Sequence, residues 1–107
     1  MMICEMVRFQ VREGSTRDDV MADARSVVER WQAEPDLIRK HFLFDGVSET
    51  IGLYLWQNKQ AALAAHDETW RQRVRDVHGS EPEISYFDTL MILDNLAGNV
   101  TEYPPGD

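Results

Sequence analysis

Residues 50–79, TIGLYLWQNKQAALAAHDETWRQRVRDVHG, decide the fold. Their first part sets Ile51, Leu53 and Leu55 opposite Gly52, Tyr54 and Trp56, the two-residue period of a strand with two usable faces. Asn58 then suits the N-cap of a helix, and Leu63, His66, Trp70, Val74 and Val77 recur along one helical stripe flanked by Ala62 and Ala65. Gly79 closes that helix, and His78 stands in its last turn near the negative end of the dipole. A strand therefore delivers Trp56 into a short turn, and the helix after it carries His66 and Trp70 on a side that faces the sheet rather than water.

Outward from this stretch the same unit is seen twice. Upstream, LIRKHFLFD alternates Ile38, Phe42 and Phe44 against Arg39, His41 and Leu43, and the short link Gly46-Val47-Ser48-Glu49 makes a hairpin with the strand that follows. Glu34-Pro35-Asp36 ends a preceding helix, because proline disfavours helical geometry in the residue before it. That helix is expected over 16–33, with Ser15 or Thr16 as cap, Asp18 and Asp19 in its first turn, and Val20, Ala24, Val27, Val28 and Trp31 as its stripe. The first strand, from Met2 to Val11, sets Ile3, Val7, Phe9 and Val11 on one face and Met2, Cys4 and Met6 on the other, so it is buried on both sides. Downstream of Gly79, Pro82 leads into PEISYFDTLMILD, read as a fourth strand. The order is β-α-β-β-α-β, a split βαβ, ferredoxin-like α+β fold with two helices on one face of a four-stranded antiparallel sheet. Residues 1–95 form that domain. Residues 96–107 form a turn-rich tail that packs through Leu96, Val100 and Tyr103 or reaches a partner subunit. The second sheet face keeps apolar side chains, which a second copy of the chain is expected to cover.

Composition narrows the functional classes. The chain has 107 residues, enough for one domain with a real core. Its net charge of -8 repels phosphate backbones and anionic lipid, so neither nucleic acid nor a membrane surface is an expected partner. No apolar run approaches the ~20 residues that span a bilayer, and the opening MMICEMVRF lacks the pattern of a signal peptide, which leads to the expectation of a cytoplasmic protein. Cys4 is the single cysteine, too few for an internal disulfide or a thiolate cage. His41, His66 and His78 have no i, i+3 or i, i+4 partner, so no metal is expected.

The two segments AEPDLIRKHFLF and GLYLWQNKQAALAAH resemble the antibiotic-biosynthesis-monooxygenase and YdhR-type members of the dimeric α/β-barrel superfamily. The matching positions are Glu34, Pro35, Trp56, Ala62, Leu63 and His66. The resemblance implies a homodimer whose sheets pack into a barrel, with a ligand cavity between sheet and helices in each subunit. It also implies oxidation of a small aromatic or polyketide-like substrate with no metal or flavin cofactor. Some relatives degrade haem instead, using an asparagine on the first strand with a tryptophan and a histidine; this first strand, ICEMVRFQV, has no asparagine.

Cofactor-free oxygenation needs an apolar cavity, a base that generates the substrate anion, and donors that steady charge as oxygen accepts an electron. An imidazole titrates near neutrality, so His66 is the expected base, set against the plainer reading of a core histidine bonded to a carbonyl. Trp56 and Trp70 are expected to wall a flat ligand, or else simply to pack the core. Tyr54 and Tyr86 either point hydroxyls into the cavity or form cross-strand pairs. His41 shares a strand face with Arg39 and is solvated, interfacial or ligand-binding. Arg8 either enters the cavity or pairs with an acid such as Asp88. A non-catalytic dimeric barrel that binds a small metabolite is the alternative function.

Overall fold

A computed structural model describes residues 1–105. The chain runs β1 (Ile3–Gln10), α1 (Arg17–Ser26), α2 (Val28–Gln32), β2 (Leu37–Phe44), β3 (Glu49–Trp56), α3 (Lys59–Ala65), α4 (Glu68–His78) and β4 (Glu83–Asp88). The strands form one sheet in the order β2-β3-β1-β4 with every neighbour antiparallel, which is the ferredoxin-like arrangement expected from the element order. No helix among the described residues is long and apolar enough to cross a membrane.

Register fixes what shares a face. Lys40 on β2 stands opposite Tyr54 on β3, Tyr54 opposite Glu5 on β1, and Glu5 opposite Tyr86 on β4. Four side chains with polar ends thus lie in one row across the sheet. With Ile3, Val7 and Trp56 they belong to the face that Trp31, Ala62 and Ala65 cover from the helices. Burying such a mixed face is favourable only where each polar end finds a partner. The opposite face carries the next row, His41, Leu53, Met6 and Ser85.

Both helical units are broken, where continuous helices were expected. The first stops at Val27, whose φ of -111° and ψ of 3° leave the helical region, and a short second helix delivers Trp31 into the core. At its start Thr16 and Asp19 form a capping box, Thr16 accepting from the Asp19 amide and the Asp19 carboxylate accepting from the Thr16 amide. In the second unit His66 is the C-cap of α3, with φ -112° and ψ 55°, and Asp67 restarts the chain as N-cap of α4 by accepting from the Trp70 amide. An aspartate able to cap outcompetes a continuous ladder here. Leu63 consequently points outward and is exposed, while Ala62, Ala65, His66 and Val74 do the packing. Gly79 closes α4 at φ 73°, in the left-handed region that glycine occupies without strain.

The last strand is also shorter than expected. β1 begins at Ile3, so after the Thr89 amide bonds to the Met2 carbonyl no ladder remains for residues 91–94 to extend. They pair instead with the tail as a separate hairpin, β5 (Met91–Asp94) with β6 (Asn99–Glu102). The Asp94 carboxylate accepts from the Leu96 and Ala97 amides in its turn. The boundary between residues 95 and 96 falls inside that turn. Leu96 and Val100 are exposed, and Tyr103 rejoins the body through its amide to the Leu90 carbonyl. Residues 106 and 107 of the tail lie outside the described residues.

Gly52 permits the aromatic arrangement. A Cβ added there would sit 2.7 Å from Tyr54 Cε1 and 3.1 Å from its hydroxyl oxygen. The ring therefore folds back along β3 over a position that only hydrogen can fill. Gly52→Ala is expected to displace the buried Tyr54 and destabilise the fold by about 1–3 kcal/mol in urea unfolding; a wild-type midpoint would show that the tyrosine repacks freely.

Candidate active site

The break at His66 turns its imidazole into the core, where it meets the one acid on the buried face of β1. Glu5 is fully buried. Its Oε1 accepts from the Trp56 indole N–H at 2.9 Å, and its Oε2 lies 2.9 Å from His66 Nδ1. Where the Glu5 carboxylate accepts and the ring is neutral, the proton of this contact sits on Nδ1 and Nε2 is the lone-pair nitrogen. That Nε2 is buried and has no hydrogen-bond partner. An orphaned polar atom in a core costs about 1–3 kcal/mol.

Rings enclose the imidazole. Tyr54 packs edge-on at 4.8 Å between centroids, Trp70 edge-on at 4.4 Å, and Trp31 at 5.2 Å. Trp31 also meets Tyr54 at 5.0 Å, and Arg30 lies over its ring while donating to the Ala65 carbonyl at the end of α3. The bend that aims His66 inward is thereby tied to α2. Tyr86 closes the other side of Glu5. Burial, followed by the Glu5 charge, pushes the Tyr86 hydroxyl up to about 12. Burial, with Glu5 next, also holds the Tyr54 hydroxyl well above its ordinary value. Both phenols are donors at neutral pH.

Beyond Tyr54 and Trp70 a cavity of about 100 Å³ opens between the sheet and the α1 and α4 helices. Its apolar wall includes Val7, Phe9, Phe42 and Val74, and its polar wall includes Lys40, Asp23, Arg73 and His78. Asp23 lies 3.3 Å from Arg73 and 3.4 Å from His78, and these two groups, His78 above all, hold its carboxyl below the usual range. Lys40 is different. Its Nζ lies 4.4 Å from the centroid of Trp31, 4.0 Å from Phe42 and 4.6 Å from Tyr54. Burial, with the nearby Arg30 charge second, lowers its pKa to about 7. Ring faces attract a cation by only about 0.5–2 kcal/mol, too little to replace lost water.

Of the residues singled out from sequence, the structure brings together Trp56, His66, Trp70 and Tyr54, and sets Tyr86 on the far side of Glu5. Tyr54 and Trp70 line the cavity; His66 and Trp56 lie behind them. His41 is exposed on the opposite sheet face beside Leu53, and Arg8, also outward, lies 3.9 Å from both Glu49 and Glu83. His78 is more than a helix-end cation, since it packs on Phe9 at 4.7 Å and lines the cavity. Two residues were missed, Glu5 and Lys40. Each is a charged residue in phase with an apolar set: Glu5 with Ile3 and Val7, Lys40 with Phe42 and Phe44. That phase was the available signal. Among the described residues no three His, Cys, Asp or Glu side chains converge as a metal site.

No family model matches the chain, and no curated protein sequence does. Solved structures do. One is Rv0793 from Mycobacterium tuberculosis, 14% identical, covering 84% of this chain and 96% of that one with a TM-score of 0.62. Another is named "Putative antibiotic biosynthesis monooxygenase from Nitrosomonas europaea", 23% identical, covering 80% and 88% with a TM-score of 0.58. At these identities the likeness is one of fold.

The buried amine makes stability depend on pH. Between about 7, the folded value of Lys40, and ~10.4, that of a free lysine, the unfolded chain binds more protons, so the Lys40 contribution to stability rises with pH. Lys40→Met is expected to gain most over wild type below pH 7, with the gain shrinking toward pH 10 in paired thermal melts. A gain constant across that range would mean that Lys40 is not desolvated.

Proposed function

We propose that the protein is a cofactor-free oxygenase of a small, flat aromatic substrate, with His66 as the base. The observation that carries this reading is the buried, unpartnered Nε2 of an imidazole whose other nitrogen is tied to Glu5. Glu5 fixes the tautomer and favours the imidazolium that forms when Nε2 takes a proton, while the Trp56 N–H keeps the carboxylate in place. The fold shared with a protein named as an antibiotic biosynthesis monooxygenase supports the reaction class.

For an activated ring methylene the chemistry balances without a cofactor. Nε2 removes a C–H proton, the carbanion gives one electron to dioxygen, and the radical pair combines as a peroxide. Loss of the second C–H proton with cleavage of the O–O bond leaves a carbonyl and one water. One methylene and one dioxygen thus become one ketone and one water. The Tyr54 hydroxyl, kept protonated, donates to the charge that develops on oxygen. A cavity of about 100 Å³ is below the ~300 Å³ of ordinary ligand sites. A flat substrate of the size of anthrone therefore enters only when Trp70, half buried between cavity and imidazole, swings aside and enlarges the space.

The site is set in a homodimer. The sheet face away from the helices leaves Leu43 and Phe87 exposed, and the hairpin adds Met91 and Leu93. A second copy covers such surface in the dimeric barrel that the sequence resemblance implies. Sedimentation at micromolar concentration should give twice the chain mass, and a monomer there would contradict the barrel.

Oxygen uptake with anthrone, after metals are stripped, tests the chemistry. His66→Ala and Glu5→Gln should each lower turnover by at least ~10²-fold. The glutamine can offer its amide N–H to Nδ1, which moves the imidazole proton to Nε2. Ligand-dependent melting with no turnover in wild type would favour the binding-protein reading, and equal turnover in His66→Ala would remove the base.

A further inference from the structure

Lys40 is outside the oxygenation scheme, yet it lines the same cavity. Its side chain lines the inner cavity with Phe42 and Tyr54, and it also lines a shallow outer groove with Trp31, Gln32 and Leu37. It is therefore part of the wall between the two and can be approached from either. A surface lysine normally extends its ammonium into water. Here Nζ rests against three ring faces, and the ion pairs around it are made by others, Arg30 with Glu34 and Arg73 with Asp23. No carboxylate among the described residues is within ion-pair range of it.

We propose that Lys40 is a nucleophilic amine that condenses with small aromatic or conjugated aldehydes and ketones to form an imine in this cavity. Three features of the surroundings support the chemistry. Tyr54, Phe42 and Trp31 present flat apolar faces to a conjugated carbonyl compound, the class best matched to stacking on rings. The charged groups around the amine come from every packed element: Arg30 on α2 and Arg73 on α4 oppose its protonation, while Asp23 on α1 and Glu5 on β1 favour it, and Tyr54 on β3 is neutral. Burial adds to the first pair, so a large share of the amine is free at neutral pH.

The step needs no oxidant. The nitrogen lone pair forms a bond to the carbonyl carbon, the carbonyl π pair moves to oxygen, and a proton passes from nitrogen to that oxygen. The nitrogen lone pair then expels the hydroxyl group, which leaves as water with one proton taken from solvent. Carbonyl compound, amine and one proton become a protonated imine and one water. The proposal is independent of the oxygenase reading, since neither His66 nor dioxygen takes part.

The chain contains just two lysines, Lys40 and the exposed Lys59, so the protein carries its own control. The full chain, under nitrogen at pH 7, is treated with benzaldehyde and sodium cyanoborohydride, which reduces an imine to a stable benzylamine, and the adducts are mapped by peptide mass. An ordinary lysine amine is almost wholly protonated at that pH. Lys40 should be labelled at least about tenfold faster than Lys59, with half-maximal rate near neutrality, and the advantage should vanish in urea. The N-terminal amine is resolved as its own peptide. Lys40→Arg should lose the fast adduct and leave Lys59 labelling unchanged. Equal or slower labelling of Lys40 in the native wild-type chain would overturn the proposal, whatever the variant does. Fast labelling that persists in His66→Ala, even if anthrone oxidation fails in wild type, would uphold it and separate it from the oxygenase reading.

Discussion

A carboxylate inside a hydrophobic sheet is the constraint on which the rest of this structure depends. Left without partners in a medium of low dielectric, Glu5 would cost several kcal/mol. The fold supplies those partners from three distant parts of the chain. Trp56 reaches it from the end of β3, His66 from the break between α3 and α4, and Tyr86 flanks it from β4. The requirement that all converge on one pair of oxygens ties strand register, helix break and aromatic packing together. Gly52 and Asp67 are small residues with large parts in that arrangement: one leaves room for the Tyr54 ring, the other stops α3 where the imidazole must turn inward.

The cluster explains why the second helical unit is bent. A continuous helix would have kept His66 on the same stripe as the outward-pointing Leu63. The bend, with the Arg30 guanidinium on the Ala65 carbonyl, trades a stretch of helical ladder for one well-directed imidazole. The cavity then divides the polar groups into two sets. Glu5 and His66 lie behind Tyr54 and Trp70, out of contact with solvent. Lys40, Arg73, Asp23 and His78 lie in front, where a ligand would first arrive. The groups proposed for proton removal and for amine addition are thus on opposite sides of the Tyr54 and Trp70 rings.

Element order was legible in the sequence because it rests on strong periodic signals: alternation in 51–56, a stripe in 66–74, and Pro35, Gly46 and Gly79 between elements. The four-stranded sheet and its two helical units follow from these. Helix breaks at Val27 and His66 were not legible, since each depends on tertiary packing and on a cap that competes locally with an otherwise acceptable helix. The hairpin of β5 and β6 was hidden for a similar reason. Residues 83–94 read as one apolar run, and only the length of β1 decides where the run must leave the sheet. Of the site, the aromatic and histidine members were visible as a stripe and a strand end. Glu5 and Lys40 were not, because a charged residue in phase with buried ones is ordinarily read as an interruption. Here each is a member of the buried row that register lines up across the sheet.

Glu5 Oε2 faces His66 Nδ1 and Nε2 has no partner, and the proposed base chemistry requires the proton to sit on Nδ1 and leave Nε2 a bare acceptor. Nitrogen-15 NMR of the side-chain imidazoles, assigned through His66→Gln, measures this directly. The structure predicts a protonated, slowly exchanging Nδ1 coupled by hydrogen bonding to a carboxylate, and an unprotonated Nε2, in the neutral ring. In Glu5→Gln the proton should move to the other nitrogen. A wild-type ring protonated on Nε2, or one whose two nitrogens average as in free imidazole, would contradict the account.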